Sequence, residues 1–350
     1  MSLLPYLHRV LNGESLAVND AREAMTAILS GVATTAQIAG FLVALRMKGE
    51  TPDELLGLAQ AMREHAVRVE SGIRGEPLLD TCGTGGDGQS TVNVSTIAAL
   101  VAAGGGIAVA KHGNRSQSSQ CGSADLLEAL GARIELDPEC VGQCIRETRF
   151  GFLFAPRFHP AMKHAAAARR ELRTRTAFNL LGPLANPAGA TVQVVGAPSL
   201  PAAELLAFTL ARLGIDRAFV VHGANGLDEV STTGETAAFE VRNGRMERSS
   251  ISPRALGLSV STIDELRGGD AGTNAAIARA VLGGARGPHR DLVVANAAVA
   301  FLAAAKAANL REGAEAACES LDSGAAAAVL ARFVEFTQDA GKTVEQGAGL

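Results

Sequence analysis

The sequence predicts an α/β protein in two parts, a small all-helical domain plus a larger α/β domain with a mainly parallel central sheet. Three observations predict it. The first seventy or so residues carry helix signals only, and from Pro77 short β runs alternate with helical runs. Two loops rich in glycine and polar residues, Asp80 to Gly88 and Lys111 to Ser119, sit one helix apart. Alternating β and α elements build parallel sheets flanked by helices, and loops that follow consecutive parallel strands emerge on one sheet edge.

In the helical part, Asn19 is expected to cap an amphipathic run to Leu29, and Thr34 or Thr35 to open another that reaches Arg46-Met47-Lys48-Gly49. Thr51-Pro52-Asp53-Glu54 is a strong start signal, with a cap, a proline at the first helical position and acids in the first turn. Strands are expected at Leu78–Thr81, Ile107–Ala110, Val192–Gly196 and Ala218–Val221. An apolar helix over Ile97 to Ala103 joins the first two, and a helix from Pro201 to Leu213, closed by Gly214, joins the last two. Asn243-Gly244, between Phe239-Glu240-Val241 and the Met246 segment, signals a hairpin and hence an antiparallel edge. His164–Leu181 reads as helix returning to the small domain, and the alanine-rich tail from Thr273 as helix to about Ala331. The expected domains are 1–72, completed by about 164–184, and 75–163 with 185–350.

Gly83, Gly85 and Gly88 satisfy G-x-G-x-x-G, but the context of a dinucleotide site is missing. That pattern should open a helix directly and be followed about twenty residues on by an acid for a ribose diol. Here the helix cap falls later, at Ser95, and the next strand ends in Lys111. No G-K-[ST] makes a P-loop either. What remains is a backbone that can approach an anion closely, beside Ser95 and Thr96 amides at a helix N-terminus. A single such loop is as often a plain strand-to-helix turn. Two on one sheet edge, the second rich in Lys, Asn, Arg and Ser, favour a multiply phosphorylated ligand.

With 47% hydrophobic and 19% charged residues, the 350-residue chain is expected to bury a sizeable core. The net charge of −4 argues against broad nucleic-acid binding. The longest apolar runs, Ile97–Ala110 and Leu292–Ala305, fall short of the ~18 residues of a membrane span. Five cysteines without a C-x-x-C pair fit a reducing compartment, and the expectation is a soluble cytoplasmic protein. Cys82, inside the glycine loop, reads as packing.

Asp228-Glu229 follows the strand Ala218–Val221 and the loop His222 to Leu227. Adjacent carboxylates suit hard cations, and magnesium commonly bridges them to substrate phosphates. Isolated, the pair would be a solvated turn; its place on the edge that carries both phosphate loops favours a metal. Either Arg169 or Arg170 could take a substrate carboxylate, and spacing does not say which. No Ser/His/Asp nucleophile set is legible, and no residue is assigned as a general base.

Together these strings resemble the anthranilate phosphoribosyltransferase family. The resemblance runs through Leu45-Arg46-Met47-Lys48-Gly49-Glu50-Thr51, Gly83 to Asp87, Asn93 to Thr96 and Lys111 to Arg115. It continues through Gly122 to Gly131, Phe152 to Pro156, His159 to Met162, Phe178 to Leu184, His222-Gly223 and Gly226 to Glu229. It implies a fold of the nucleoside phosphorylase/phosphoribosyltransferase type and a homodimer formed through the helical domain. The activity implied is phosphoribosyl transfer from 5-phosphoribosyl-1-diphosphate to the amine of anthranilate, in tryptophan biosynthesis, with Mg2+ as cofactor. By the same resemblance, Gly83, Gly86, Asp87, Thr91, Asn93, Val94, Ser95, Thr96, Lys111, His112, Gly113, Asn114, Arg115, Ser116, Gln117, Ser118, Ser119 and Ser123 bind the phosphoribosyl donor. Gly83, Asn114 and Arg169 bind anthranilate, Arg169 through its carboxylate, with His112 and His159 along the path. Ser95, Asp228 and Glu229 hold the metal. Arg173 stands where the family commonly has glycine, which puts the local loop shape in question. Two alternatives stay open: a pyrimidine nucleoside phosphorylase of the same architecture, and a non-catalytic relative that binds nucleic acid or a regulatory ligand.

Overall fold

The computed structural model describes residues 2–85, 88–116 and 120–347, with side chains to 340. Four helices come first: α1 (Leu4–Leu11), α2 (Val18–Leu29), α3 (Thr35–Lys48) and α4 (Pro52–Glu64). The α2 helix starts one residue before Asn19, after Ala17, and has no side-chain cap. Thr34, not Thr35, caps α3 in a reciprocal bond pair with Gln37. Thr51 and Glu54 make the same box at α4. Glu54 is fully buried yet saturated: it accepts from Lys48 Nζ (2.9 Å), Thr51 N (2.8 Å) and Leu16 N (2.9 Å), so its charge costs little to bury.

The rest alternates strand and helix. β1 (Leu78–Gly83), α5 (Val94–Gly104) and β2 (Ala108–Gly113) are followed by α6 (Ser123–Ala129), α7 (Pro138–Thr148) and β3 (Phe150–Phe154). Then come α8 (Ala155–Phe158), α9 (Lys163–Leu172), α10 (Phe178–Leu181), β4 (Val192–Gly196), α11 (Leu200–Leu213) and β5 (Arg217–His222). The hairpin β6 (Thr236–Arg242) and β7 (Arg245–Ile251) leads to α12 (Ala271–Leu282), α13 (Pro288–Ala303), α14 (Leu310–Asp322) and α15 (Ala325–Gly347). The hairpin turns through Asn243 and Gly244, both at positive φ, as Asn-Gly favours.

The strands form one sheet in the order β3-β2-β1-β4-β5-β6-β7. β1 to β5 run parallel and β6 and β7 antiparallel, so the sheet is mainly parallel with an antiparallel edge. Period-2 alternation assigns the faces. Val192, Val194, Phe219 and Val221 join a core with α5, α13, α14 and α15, whereas Val195, Ala218 and Val220 join one shared by α11 and the four N-terminal helices. The helical part is thus continuous with one face of the sheet.

Three expectations change. β3 was not read as a strand; its Phe-Gly-Phe-Leu-Phe run is buried throughout and gives no alternation to detect. The tail is helical as expected but is divided into four helices and runs further, from Ala271 to Gly347. The stretch His164–Leu181 is broken between α9 and α10, and the break is Arg173, at φ +45° and ψ +31°. The left-handed region strains any residue with a Cβ. Arg173→Gly is expected to raise stability by about 0.5–1 kcal/mol, read as a higher Tm at unchanged activity.

Candidate active site

The strand order reverses at β1, which has β2 on one side and β4 on the other. Ligands of open α/β sheets bind beyond the strand carboxyl ends at such a switch point. Three connections converge there: the loop after β1, the one after β2 and the one after β5.

After β1, Gly85 and Gly88 both take positive φ (64° and 72°), a turn that other residues enter only at a cost. Gly86 and Asp87 lie outside the described residues. Thr91 forms an antiparallel bridge with Arg267. The helix α5 begins at Val94, with Asn93 at the cap position, so Ser95 is a first-turn residue and not the cap expected for it. Thr96 N already bonds Asn93 O (3.2 Å), which leaves the Ser95 amide as the better placed of the two for an anion.

Lys111 and His112 lie on β2 itself, earlier than the loop in which the sequence put them. Lys111 is 1% exposed; its Nζ donates to Thr81 O (2.5 Å) and Ser95 Oγ (3.3 Å). Burial pushes its pKa down, while Asp80 and Glu229 pull it back up, so Glu229 also lies within electrostatic reach. Asp80 is the functional-site residue the sequence reading passed over. It is fully buried, accepts from His112 N (3.1 Å) and Asn186 Nδ2 (2.8 Å), and fixes the β2 end against β1. A lone acid in an otherwise apolar strand was the signal.

Past β2, Asn114 N and Ser123 Oγ are 3.2 Å apart, and a Cβ on Gly113 would sit 2.2 Å from Ser123 Oγ. Arg115 turns away to Asp125 and Glu128 on α6. Its backbone N donates to Asn114 Oδ1 (2.7 Å). Ser116 N is held by Asp125 Oδ2 (3.1 Å). Gln117, Ser118 and Ser119 lie outside the described residues.

Asp228 is buried, and its Oδ2 accepts from Gly85 N (2.8 Å), which ties the carboxylate to the glycine loop. The glycines beneath it are required: a Cβ on Gly83 would lie 2.6 Å from Asp228 Oδ2, and one on Gly196 1.5 Å from Asp228 O. Ser95, Asp228 and Glu229 offer oxygen donors only, and no cluster of three His, Cys, Asp or Glu exists among the described residues. Such a set suits Mg2+, which is held by one or two carboxylates and completes its shell with phosphates and water.

On α9, the Arg169 guanidinium stands 5.5 Å from the Phe178 ring centroid, and burial lowers its pKa. Among the described residues no carboxylate offsets that burial, so the cation is partly desolvated there. His112 and His159 pack with ring centroids 5.0 Å apart and planes tilted by 54°. His112 Nδ1 faces Gly182 O (3.1 Å), and among the described residues Nε2 of both rings is buried without a partner, as are Thr84 Oγ1 and Thr96 Oγ1. Desolvation lowers both imidazoles, His159 to about 3, so both are neutral at pH 7. The sign follows: the unfolded chain takes up a proton near 6.5 that the folded chain refuses until about 3. Stability is therefore complete above pH 6.5 and falls below it, with a slope of up to about 1.4 kcal/mol per pH unit from this group. His159→Gln should flatten the loss of Tm between pH 6.5 and 4.

Two further arginines tie the helical part to this cleft. Arg46, at the end of α3, donates to Thr174 Oγ1 and Arg175 O, and the Arg175 guanidinium donates to the Gly85 and Thr84 carbonyls. The sequence marks Arg46 as a helix end and as part of a family string, and neither shows this contact.

Residues 4–66 match the helical bundle domain of the glycosyl transferase family, and residues 75–327 its a/b domain. The chain is 55% identical to the anthranilate phosphoribosyltransferase of Solibacter usitatus, across 96% of this chain and 99% of that one. It is 51% identical to that of Pelotomaculum thermopropionicum, across 95% of each. The crystal structure of anthranilate phosphoribosyltransferase from Thermus thermophilus superposes with a TM-score of 0.90 at 48% identity, covering 95% and 99% of the two chains. The Saccharomyces cerevisiae enzyme in complex with PRPP and Mg gives 0.88 at 30% identity, covering 96% and 98%.

Proposed function

The chain belongs to the anthranilate phosphoribosyltransferase family, and from that premise we infer how its cleft works. It transfers the phosphoribosyl group of 5-phosphoribosyl-1-diphosphate to the amine of anthranilate, releasing pyrophosphate, a step of tryptophan biosynthesis. The observation that carries the reading is the bond from Gly85 N to Asp228 Oδ2, which joins a phosphate-cradling loop to a metal-type carboxylate at the switch point.

Ser95, Asp228 and Glu229 would hold Mg2+, which neutralises phosphate charge when bound. The glycine loop, the Ser95 amide and the segment from Asn114 to Ser116 receive the donor phosphates. Lys111 adds positive charge from beneath the cleft floor, through the Ser95 hydroxyl it touches. As the bond to pyrophosphate breaks, the ribosyl carbon becomes electron-poor and the leaving group gathers charge, so these fixed donors act where charge develops. Arg169 takes the anthranilate carboxylate; no acid among the described residues offsets its charge. His112 and His159, both neutral, line the approach and present Nε2 lone pairs to donor hydrogens. An aromatic amine is weakly basic and sheds its proton readily after attack, so a strong general base is not required.

We also propose a homodimer through the helical part and a cytoplasmic location. Leu11 and Met47 on the packed helices α1 and α3 are 62% and 83% exposed, the kind of apolar surface that a second copy covers. No disulfide joins any of the five cysteines, which fits a reducing compartment, and no helix among the described residues is long and apolar enough to cross a membrane.

The test is the loss of anthranilate fluorescence in the purified protein. Loss that needs phosphoribosyl diphosphate, magnesium and anthranilate together supports the reading; no loss with folded protein overturns it, and a nucleoside-plus-phosphate assay is then the next to run.

A further inference from the structure

We propose that Asn274, in the first turn of α12, is a positioning residue for the phosphoribosyl donor site and acts through Asn93; this rests on the transferase reading. Asn274 is far in sequence from every residue assigned above, yet its side chain is 2% exposed and reaches the segment between the glycine loop and α5.

The hydrogen bonds run in one direction only. Gly269 N donates to Asn274 Oδ1 (2.8 Å), which fixes that atom as the oxygen. Asn274 Nδ2 therefore donates to Asn93 Oδ1 (2.9 Å). Asn93 Nδ2 in turn donates to Cys121 O (3.0 Å), a carbonyl that can only accept. Backbone groups at both ends thus dictate both amide orientations, and neither amide can flip without setting like against like.

The relay spans three connections. Gly269 belongs to a strap over Leu266–Gly269 that clamps the approach to α5: Val92 N bonds Leu266 O (3.3 Å) and Gly268 N bonds Ser90 O (2.9 Å). A Cβ on Gly268 would lie 2.5 Å from Asn274 Oδ1 and 3.0 Å from Val92 Cα, so the strap lies directly on this segment. Cys121 sits between the Asn114 to Ser116 stretch and α6, in the connection after β2. The spacing of the two donor-cradling loops is therefore set from α12. It also gives Asn93 a different part from the one the family resemblance implies. Both polar groups of its side chain are already used by protein, and its service to the donor is to hold the backbone from Asn93 to Ser95.

Asn274→Asp tests this because it is nearly isosteric. Ionised aspartate still accepts from Gly269 N but cannot donate to Asn93 Oδ1. A packing role therefore predicts lost stability without a selective change in donor KM, and the relay predicts that selective change. The expected result is a rise of tenfold or more in KM for phosphoribosyl diphosphate, with KM for anthranilate within twofold of the wild type. Asn274→Ser, smaller and uncharged, should give the same split and serves if the aspartate variant does not fold. Asn93→Ala breaks the relay from its other end, and its effect should not multiply with that of Asn274→Ser in the double variant. An unchanged donor KM in folded Asn274→Asp and Asn274→Ser, or multiplicative effects in the double variant, would overturn the proposal while leaving the transferase reading intact. Absence of turnover in the wild type would overturn both.

Discussion

Turnover of the Asp228→Ala, Glu229→Ala double variant is expected to fall by about 10³-fold at limiting magnesium, the loss typical when preorganised charge at a developing anion is removed. Two effects combine. The metal loses both carboxylates, and the glycine loop loses its anchor, because Gly85 N bonds Asp228 Oδ2. The single variants separate these effects. Asp228→Asn keeps an oxygen for Gly85 N and removes only charge, so raised magnesium should restore part of its activity. Asp228→Ala releases the loop as well and should show a raised KM for phosphoribosyl diphosphate that magnesium does not correct. Glu229, half-buried and within electrostatic reach of Lys111, should matter through charge alone. Near-normal turnover of the double variant at limiting magnesium would show that leaving-group neutralisation is not the dominant part of catalysis.

Much of this arrangement was legible in the sequence because it depends on local chemistry. Glycines mark close backbone approach, Thr51-Pro52-Asp53-Glu54 marks a helix start, and Asn243-Gly244 marks a hairpin; each folds as its own few residues dictate. The site was legible for a second reason: β1, β2 and β5 run parallel, so the loops that follow them share an edge whatever lies between. What escaped depends on distant partners. Phe150–Phe154 is buried on both faces under helices and shows no alternation. Arg173 is left-handed because the chain must leave α9 and enter α10, which no neighbouring residue announces; the one hint is the glycine common there in the family. Lys111 looked like a loop cation and is a strand residue, its ammonium held by the Thr81 carbonyl and Ser95 hydroxyl. Asn274 and Arg175 act on the glycine-loop region from elsewhere in the chain, and nothing in their own neighbourhoods points to it.

Gly196→Ala should damage the protein more than Gly83→Ala, although both changes add one methyl group beneath the same aspartate. At Gly196 the new Cβ would fall 1.5 Å from the Asp228 carbonyl oxygen and 2.5 Å from its carbonyl carbon. Those are backbone atoms, and Gly196 is pinned by its pairing with Gly83 on one side and Val221 on the other. The strand cannot retreat, so the 227–229 turn must move, and overpacking of this kind costs about 1–3 kcal/mol. At Gly83 the nearest atoms are Asp228 Oδ2, at 2.6 Å, and Cγ, at 3.3 Å. A side chain can rotate away from such a contact while the backbone stays in place. Gly196→Ala is therefore expected to lower Tm by several degrees and abolish measurable turnover. Gly83→Ala should melt close to the wild type yet lose magnesium-dependent turnover, because the rotated carboxylate no longer meets Gly85 N. Thermal melts and magnesium titrations of the two variants check the order. If Gly83→Ala were the less stable of the two, the carboxylate and not the backbone of Asp228 would be the rigid part of the site.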